Sequence, residues 1–209
     1  MTGGGMTPDS LAEEIRRRAN GHGQRRFIAA IAGPPGAGKS TLAEALVATL
    51  GADARAVPMD GFHFDDAILI ARGQRQRKGA PETFDVAGYR HLLQRLRSED
   101  EVAIPVFDRS LELSRGSADL VTAQHRILVT EGNYLLLNEE PWTGLARFFD
   151  LTVMIGVPEA ELDRRLQARW ADFGKTPQAA RDWIDSNDLP NIRRVTQASR
   201  AADFIVESG

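Results

Sequence analysis

Gly33-Pro34-Pro35-Gly36-Ala37-Gly38-Lys39-Ser40 satisfies the Walker A pattern at every specified position. Its flanks matter as much as the octapeptide. Arg26 to Gly33 (RFIAAIAG) is a continuous apolar run of strand length, the pattern of a strand buried on both faces. Ser40 to Leu50 (STLAEALVATL) has helical periodicity and is stopped by Gly51. Strand, Gly-rich loop and helix form the unit that the motif requires, which disfavours a chance match. Glycines let backbone N–H groups converge on phosphate oxygens, and the helix start adds its positive dipole end. Gly33, Pro34, Pro35, Gly36, Ala37 and Gly38 are therefore expected to cradle a nucleotide. Lys39 would reach the β- and γ-phosphates, Ser40 a Mg2+ ion and Thr41 the α-phosphate.

The rest of the chain repeats this alternation. Ala54–Met59, Arg126–Thr130, Leu151–Val157 and Asp203–Val206 are short apolar runs. Between them lie helical patterns over Val86–Arg97 and Pro158–Phe173, the second ended by Gly174. A further helix is capped by Thr176 with Pro177 at its first position. Near the start, Ser10–Ala19 reads as a short amphipathic helix, with Ser10 and Glu13 as a capping box. Strands alternating with helices predict an α/β fold, a three-layer P-loop domain on a parallel five-stranded sheet.

With 209 residues and a formal net charge of −3, the chain suits one ordinary globular domain and lacks the broad basic surface of a nucleic-acid binder. It has no cysteine, which excludes disulfides, thiolate chemistry and cysteine-held zinc, and fits a cytoplasmic enzyme. No apolar run reaches the roughly 18–20 residues of a membrane span, so no membrane partner is expected. Gln24–Ile28 superficially matches a twin-arginine export signal, but Gly33-Pro34-Pro35 cuts the apolar stretch short.

A Walker A motif implies a nucleotide, not a reaction. The Asn/Thr-Lys-x-Asp stretch with which GTPases read their base is absent. Asp85-Val86-Ala87-Gly88 fits the short switch pattern but follows no apolar strand. Asp60, in MDGFHF, lies just past the second predicted strand, where ligands of such sheets bind. It suits a base that accepts a substrate hydroxyl proton, although Asp-Gly is also a common turn pair.

GPPGAGKST, Met59–Phe64 (MDGFHF), Arg77–Asp85 (RKGAPETFD) and Val129–Gly132 (VTEG) together resemble, in order, the P-loop kinase family of uridine kinase, phosphoribulokinase and bacterial pantothenate kinase. The likeness runs over almost all of Phe27–Val206, and is strongest to a bacterial subgroup labelled fructose transport system kinase. It implies a domain division: a start without regular structure and a short helix over 1–23, then a P-loop kinase domain over 24–209. It also implies that Asp60 is the catalytic base and that Glu131 works near the metal or the substrate. Arg77 and Lys78 would wall the acceptor pocket, or else form a solvated basic loop. His63 would contact substrate, or be merely solvated. Ile104–Arg109 resembles a Pro-x-Tyr segment after a short edge strand, with Phe107 in place of the Tyr. Asp108 and Arg109 are then substrate contacts, or a surface ion pair.

Leu162, Leu166 and Trp170 recur every four residues and should face the core. Arg165 and Arg169 share a neighbouring face; the resemblance to the kinase family implies that this segment is a lid over ATP, whose arginine would neutralise the transferring phosphoryl group, and a solvated arginine face is the alternative. Ser186–Asn191 reads as a turn, with Asn191 a candidate contact to nucleotide or substrate. The expected activity is transfer from Mg2+-bound ATP to a hydroxyl of a small molecule, such as a sugar like fructose. A nucleoside or pantothenate-type acceptor, GTP as donor, and an ATP-binding regulator that transfers nothing remain open, as does the oligomeric state, a homodimer included.

Overall fold

The computed structural model describes residues 6–208. The Gly-rich start, Met1–Met6, lies outside the described residues but for Met6. The elements in order are α1 (Pro8–Asn20), β1 (Phe27–Ala32), α2 (Lys39–Leu50), β2 (Ala54–Pro58), α3 (Asp66–Ala71), α4 (Val86–Ser98), β3 (Val102–Asp108), β4 (Leu113–Val121), β5 (Ile127–Gly132), β6 (Leu151–Gly156), α5 (Glu159–Asp172), α6 (Pro177–Trp183), α7 (Leu189–Ala198) and β7 (Phe204–Glu207).

The five-stranded sheet has the order β2-β5-β1-β6-β7, and every neighbouring pair is parallel. Alternate residues of β1 serve two cores. Ile28, Ala30 and Ala32 join Val57, Leu93 and Tyr134 on one face. Phe27, Ala29 and Ile31 join Ile15, Leu46 and Leu162 on the other. The run of apolar residues in β1 is thus the signature of a middle layer. Its central position sends the loop after it to the point where ligands of such sheets bind.

Three expectations need correction. Helix α1 is capped by Thr7, not Ser10: Ser10 N donates to Thr7 Oγ1 at 3.2 Å, and Thr7 N to Ser10 Oγ at 2.9 Å. Pro8 is favoured in the first turn, so the helix starts earlier and Glu13 lies outside the cap. Ile104–Asp108 follows no edge strand of the main sheet; it belongs to β3, paired antiparallel with β4 in a separate ribbon. Strand β4 was not foreseen because LSRGSADLV is largely exposed and polar.

Ser186–Asn191 is no turn either. A π-helical stretch, Ile184–Asp188, carries α6 directly into α7, and Pro190 sits in the first turn of α7, where proline is tolerated. Asp85, whose match to the switch pattern lacked a preceding apolar strand, caps α4 by accepting from Gly88 N at 2.9 Å.

The ribbon lies tightly over the end of β2. A Cβ on Gly61 would stand 2.5 Å from the carbonyl oxygen of Pro105, so only glycine permits this approach. The segment 62–64 is tied to 83–85 by Phe64 N to Thr83 O at 3.0 Å and Asp85 N to Phe62 O at 2.8 Å. The close approach at Gly61 and these two ties hold the ribbon and the end of the Arg77–Asp85 loop beside the Asp60 segment.

Candidate active site

The loop after β1 ends at Gly38, whose φ of 86° lies in the left-handed region that favours glycine. Gly38 is the N-cap of α2 and offers no side chain to its first turn. Those N–H groups are left for an anion. Lys39 Nζ is held back on Pro34 O at 3.1 Å. Ser40 Oγ donates to Glu131 Oε1 at 3.1 Å.

Sheet register explains why these groups meet. Pro58 in β2 pairs with Glu131 in β5, and Glu131 with Ile31 in β1. The carboxylates of Asp60 and Glu131 thus sit at the ends of adjacent strands beside the phosphate loop. Burial lowers the proton affinity of Lys39, opposed by the charges of Glu131 and Asp60. Burial raises the pKa of Glu131, which is 5% exposed, and the Asp60 charge adds to the rise. Such a site has acids and a cation too close to be content without further charges.

A serine hydroxyl and a carboxylate 3.1 Å apart are hard oxygen donors of the kind Mg2+ takes. Among the described residues no group of three or more His, Asp or Glu could hold a metal by itself. That matches Mg2+, which usually shares its shell between one or two carboxylates, water and substrate phosphates. The residues present fit the ion.

A cleft of about 650 Å3 opens in front of this cluster. Pro35, Gly36, Gly38, Lys39, Ser40 and Thr41 line it from the phosphate loop. Gly33, Pro34 and Ala37 do not line it; they shape the loop, with Ala37 packed in the core. Arg109 reaches over from the ribbon and donates to Asp60 Oδ2 at 3.0 Å. His63 accompanies Asp60: its Nδ1 lies 3.0 Å from Asp60 O, and its ring packs on Phe84 (4.0 Å) and Phe107 (4.9 Å). Burial pulls the His63 pKa down, favouring the neutral ring.

Lys78 lines the cleft with its ammonium bound to Asp66 Oδ1 and Glu112 O, both at 2.7 Å, and 5.5 Å from the Phe107 ring. Arg77 and Asp108 are not brought to the cleft. Arg77 donates to Ser186 O at 3.2 Å and lies 3.6 Å from Glu82. Asp108 closes the ribbon turn, accepting from Ser110 N at 3.0 Å and Ser110 Oγ at 2.6 Å. The neighbouring Asp108 and Arg109 do not pair with each other: Arg109 reaches Asp60, while Asp108 takes Arg115 at 3.4 Å.

Both arginines of α5 line the cleft. Arg165 is held by Glu161 Oε1 at 2.6 Å and lies 3.5 Å from Gly36 O. Arg169 makes no hydrogen bond or ion pair among the described residues, and rests over Trp170 and Phe173 at 5.6 and 5.8 Å. Burial, then the like charge of Arg109, pull its pKa down. Two guanidiniums that act on each other across a cleft are arranged for an anion.

Trp170 packs at the border of the expected core and also faces the cleft. Leu162 and Leu166 are fully buried, whereas Trp170 is only partly so and lines the cleft. Two steps of four residues rotate a side chain by about 80° around a helix of 3.6 residues per turn. The Trp170 indole N–H donates to Asp188 Oδ2 at 2.7 Å. Asp188, 7% exposed, is pushed up to about 6 by burial, against this hydrogen bond and the charges of Arg169 and Lys175. Asp188, Asn187, Trp183 and Glu112 also line the cleft and were not singled out from sequence. The signal that was available is the polar run Ser186-Asn187-Asp188 between two helices.

A second hollow, of about 550 Å3, adjoins the first beyond Gly38, Thr41 and Arg165, walled by Leu42, Ala45, Ile155 and Val206. No helix among the described residues is long and apolar enough to cross a membrane.

Residues 28–209 match the pattern of the Phosphoribulokinase / Uridine kinase family. An uncharacterised Escherichia coli (strain K12) protein, YggC, is 39% identical over 191 residues, covering 88% of this chain and 78% of that one. A candidate uridine kinase of Schizosaccharomyces pombe is 30% identical over 197 residues, covering 88% and 84%. The crystal structure of a candidate fructose transport system kinase from Silicibacter sp. TM1040 superposes with a TM-score of 0.91 at 39% identity, covering 96% of this chain and 99% of that one.

Proposed function

The chain belongs to the Phosphoribulokinase / Uridine kinase family, and we propose that it transfers the γ-phosphoryl group of ATP to a hydroxyl of a small molecule. One observation carries the reading: Asp60, Glu131, Lys39 and Ser40 converge where adjacent strands end beside an open cleft.

The apolar hollow behind Thr41 suits the purine base, which leaves the triphosphate to run through the loop into the cleft. Ser40 and Glu131 would hold Mg2+, which when bound draws negative charge away from the transferring group. Asp60 Oδ2 is held by Arg109, and Oδ1 has no hydrogen bond among the described residues. Oδ1 accepts the proton of the acceptor hydroxyl as its oxygen forms a bond to the γ-phosphorus. The bond from that phosphorus to the β–γ bridging oxygen breaks, and ADP leaves with the electron pair. Arg169 supplies the cation that meets charge spreading over the γ-oxygens. Arg109 and Arg169 draw together on that charge and keep water out. A cytoplasmic location belongs to the same proposal.

A sugar such as fructose is the acceptor this reading favours, supported by the likeness to the Silicibacter chain. A nucleoside is the second reading, supported by the likeness to the S. pombe protein. ADP release from Mg2+-bound ATP with a panel of sugars, nucleosides and pantothenate tests both. One acceptor class should raise turnover while the others leave it at background. Nucleotide binding with no acceptor-dependent turnover across the panel would favour a regulator instead.

A further inference from the structure

The π-helical stretch between α6 and α7 puts two amides at the wall of the cleft. Asn187 and Asn191 are each 2% exposed, and both line it. A π-turn moves side chains off the α-helical register, and such turns gather at functional sites. Asn187 Nδ2 donates to Lys78 O at 2.9 Å, which fixes its oxygen toward Asn191 Nδ2 at 3.4 Å. Asn191 Oδ1 is left buried with no hydrogen-bond partner among the described residues. A buried acceptor without a donor is unfavourable, and native chains rarely keep one without a use. Its donor must come from the cleft that Asn191 lines.

The surroundings limit what that donor belongs to. Arg75 and Lys78 share Asp66 at 2.7 Å each, and Arg109 is bound to Asp60 at 3.0 Å. Lys39 and Arg169 are taken up by the γ-phosphoryl group in the proposed transfer, so an anionic acceptor beside Asn191 would have to break one of these pairs or draw Lys175 off the indoles, in a cleft that also holds Glu112 and Asp188. What is offered instead is neutral: the Asn191 oxygen and the His63 ring, while the Trp170 and Trp183 rings carry the Lys175 ammonium at 5.2 and 5.1 Å. An amide oxygen in such a cleft accepts from a hydroxyl of a neutral ligand.

We propose that Asn191, oriented by Asn187, is the specificity-determining residue of an acceptor subsite for a neutral polyhydroxylated compound, a sugar or sugar alcohol. This rests on the phosphotransfer reading for its place beside Asp60, but not for its test.

Isothermal titration of the Mg2+·ADP-loaded protein with D-fructose, D-mannitol, D-glycerate and D-pantothenate reads binding without turnover. Fructose or mannitol should bind, and Asn191→Leu should weaken that binding about 10- to 100-fold, the loss of one buried hydrogen bond. Mg2+·ADP affinity, unchanged in the variant, reports an intact fold. Asn187→Ala, which removes the oxygen that Asn191 Nδ2 donates to, should weaken the same binding, and serves if the leucine variant does not fold. Equal polyol affinity in wild type and Asn191→Leu overturns the proposal. So does binding of glycerate or pantothenate alone, or of none of the four. Polyol binding that depends on Asn191 without any phosphorylation would keep this subsite and remove the phosphotransfer reading. Phosphorylation indifferent to Asn191 would do the reverse.

Discussion

Asp188→Asn should make the protein more stable at neutral pH and change its stability little in mild acid. Asp188 is 7% exposed, and burial lifts its pKa from 3.8 to about 6. The folded state therefore holds this proton more tightly than the unfolded chain. Between those two values the unfolded state ionises first, so stability falls as pH rises, and the full loss is reached above about 6. At about 1.4 kcal/mol per pH unit, the distance from 3.8 to 6 sets a ceiling of about 3 kcal/mol. Asparagine matches aspartate in shape and still offers an oxygen to the Trp170 indole N–H, now at 2.7 Å, but it never ionises. Urea unfolding of both proteins at several pH values between 4 and 8 measures the effect. The gap should be small at pH 4, about 0.6 kcal/mol, and should approach 1–3 kcal/mol in favour of the variant by pH 7.5. A gap that stays constant across the range, or one that favours the wild type at high pH, refutes the assignment of a strained buried carboxylate.

Gly61→Ala places a methyl 2.5 Å from the Pro105 carbonyl; backbone must shift, and urea titration should show a loss of about 1–3 kcal/mol. The same shift moves Arg109 off Asp60, so kcat should fall as well. Arg169→Ala removes a cleft cation that makes no ion pair among the described residues and should lower kcat roughly 10²–10³-fold, with nucleotide affinity little changed in a fluorescence titration. Glu131→Gln removes a carboxylate beside Ser40: the Mg2+ concentration for half-maximal rate should rise, while metal-free ATP should bind more tightly because a repelling charge is gone.

The parallel sheet could be read from residues because its inner strands β1 and β5 are buried on both faces, so RFIAAIAG and RILVT announce themselves without context. The ribbon could not. Strand β4 is exposed and polar, and what makes it a strand is its pairing with β3. Helix α7 was hidden by Pro190, which reads as a breaker although it sits where a helix accepts it. In the site, the residues legible in advance are those on the loop and at strand ends, where position along the chain fixes position in space. Arg109 meets Asp60 only because Gly61 lets the ribbon close down. Arg77 and Asp108 looked equally placed but are drawn away by Ser186 and by the ribbon turn. Trp170 was assigned to the core by a spacing of four that drifts around the helix, and the Asn187–Asn191 wall depends on a π-turn with no simple sequence mark.

The central claim is that Asp60 receives the proton of an acceptor hydroxyl during phosphoryl transfer. A single-turnover experiment with ATP labelled at the γ-phosphorus tests it, following label into the acceptor for wild type and for Asp60→Asn. The account predicts transfer by the wild type and a roughly 10²–10⁴-fold slower rate in the variant, with ATP still bound. Transfer at the wild-type rate in Asp60→Asn would contradict it.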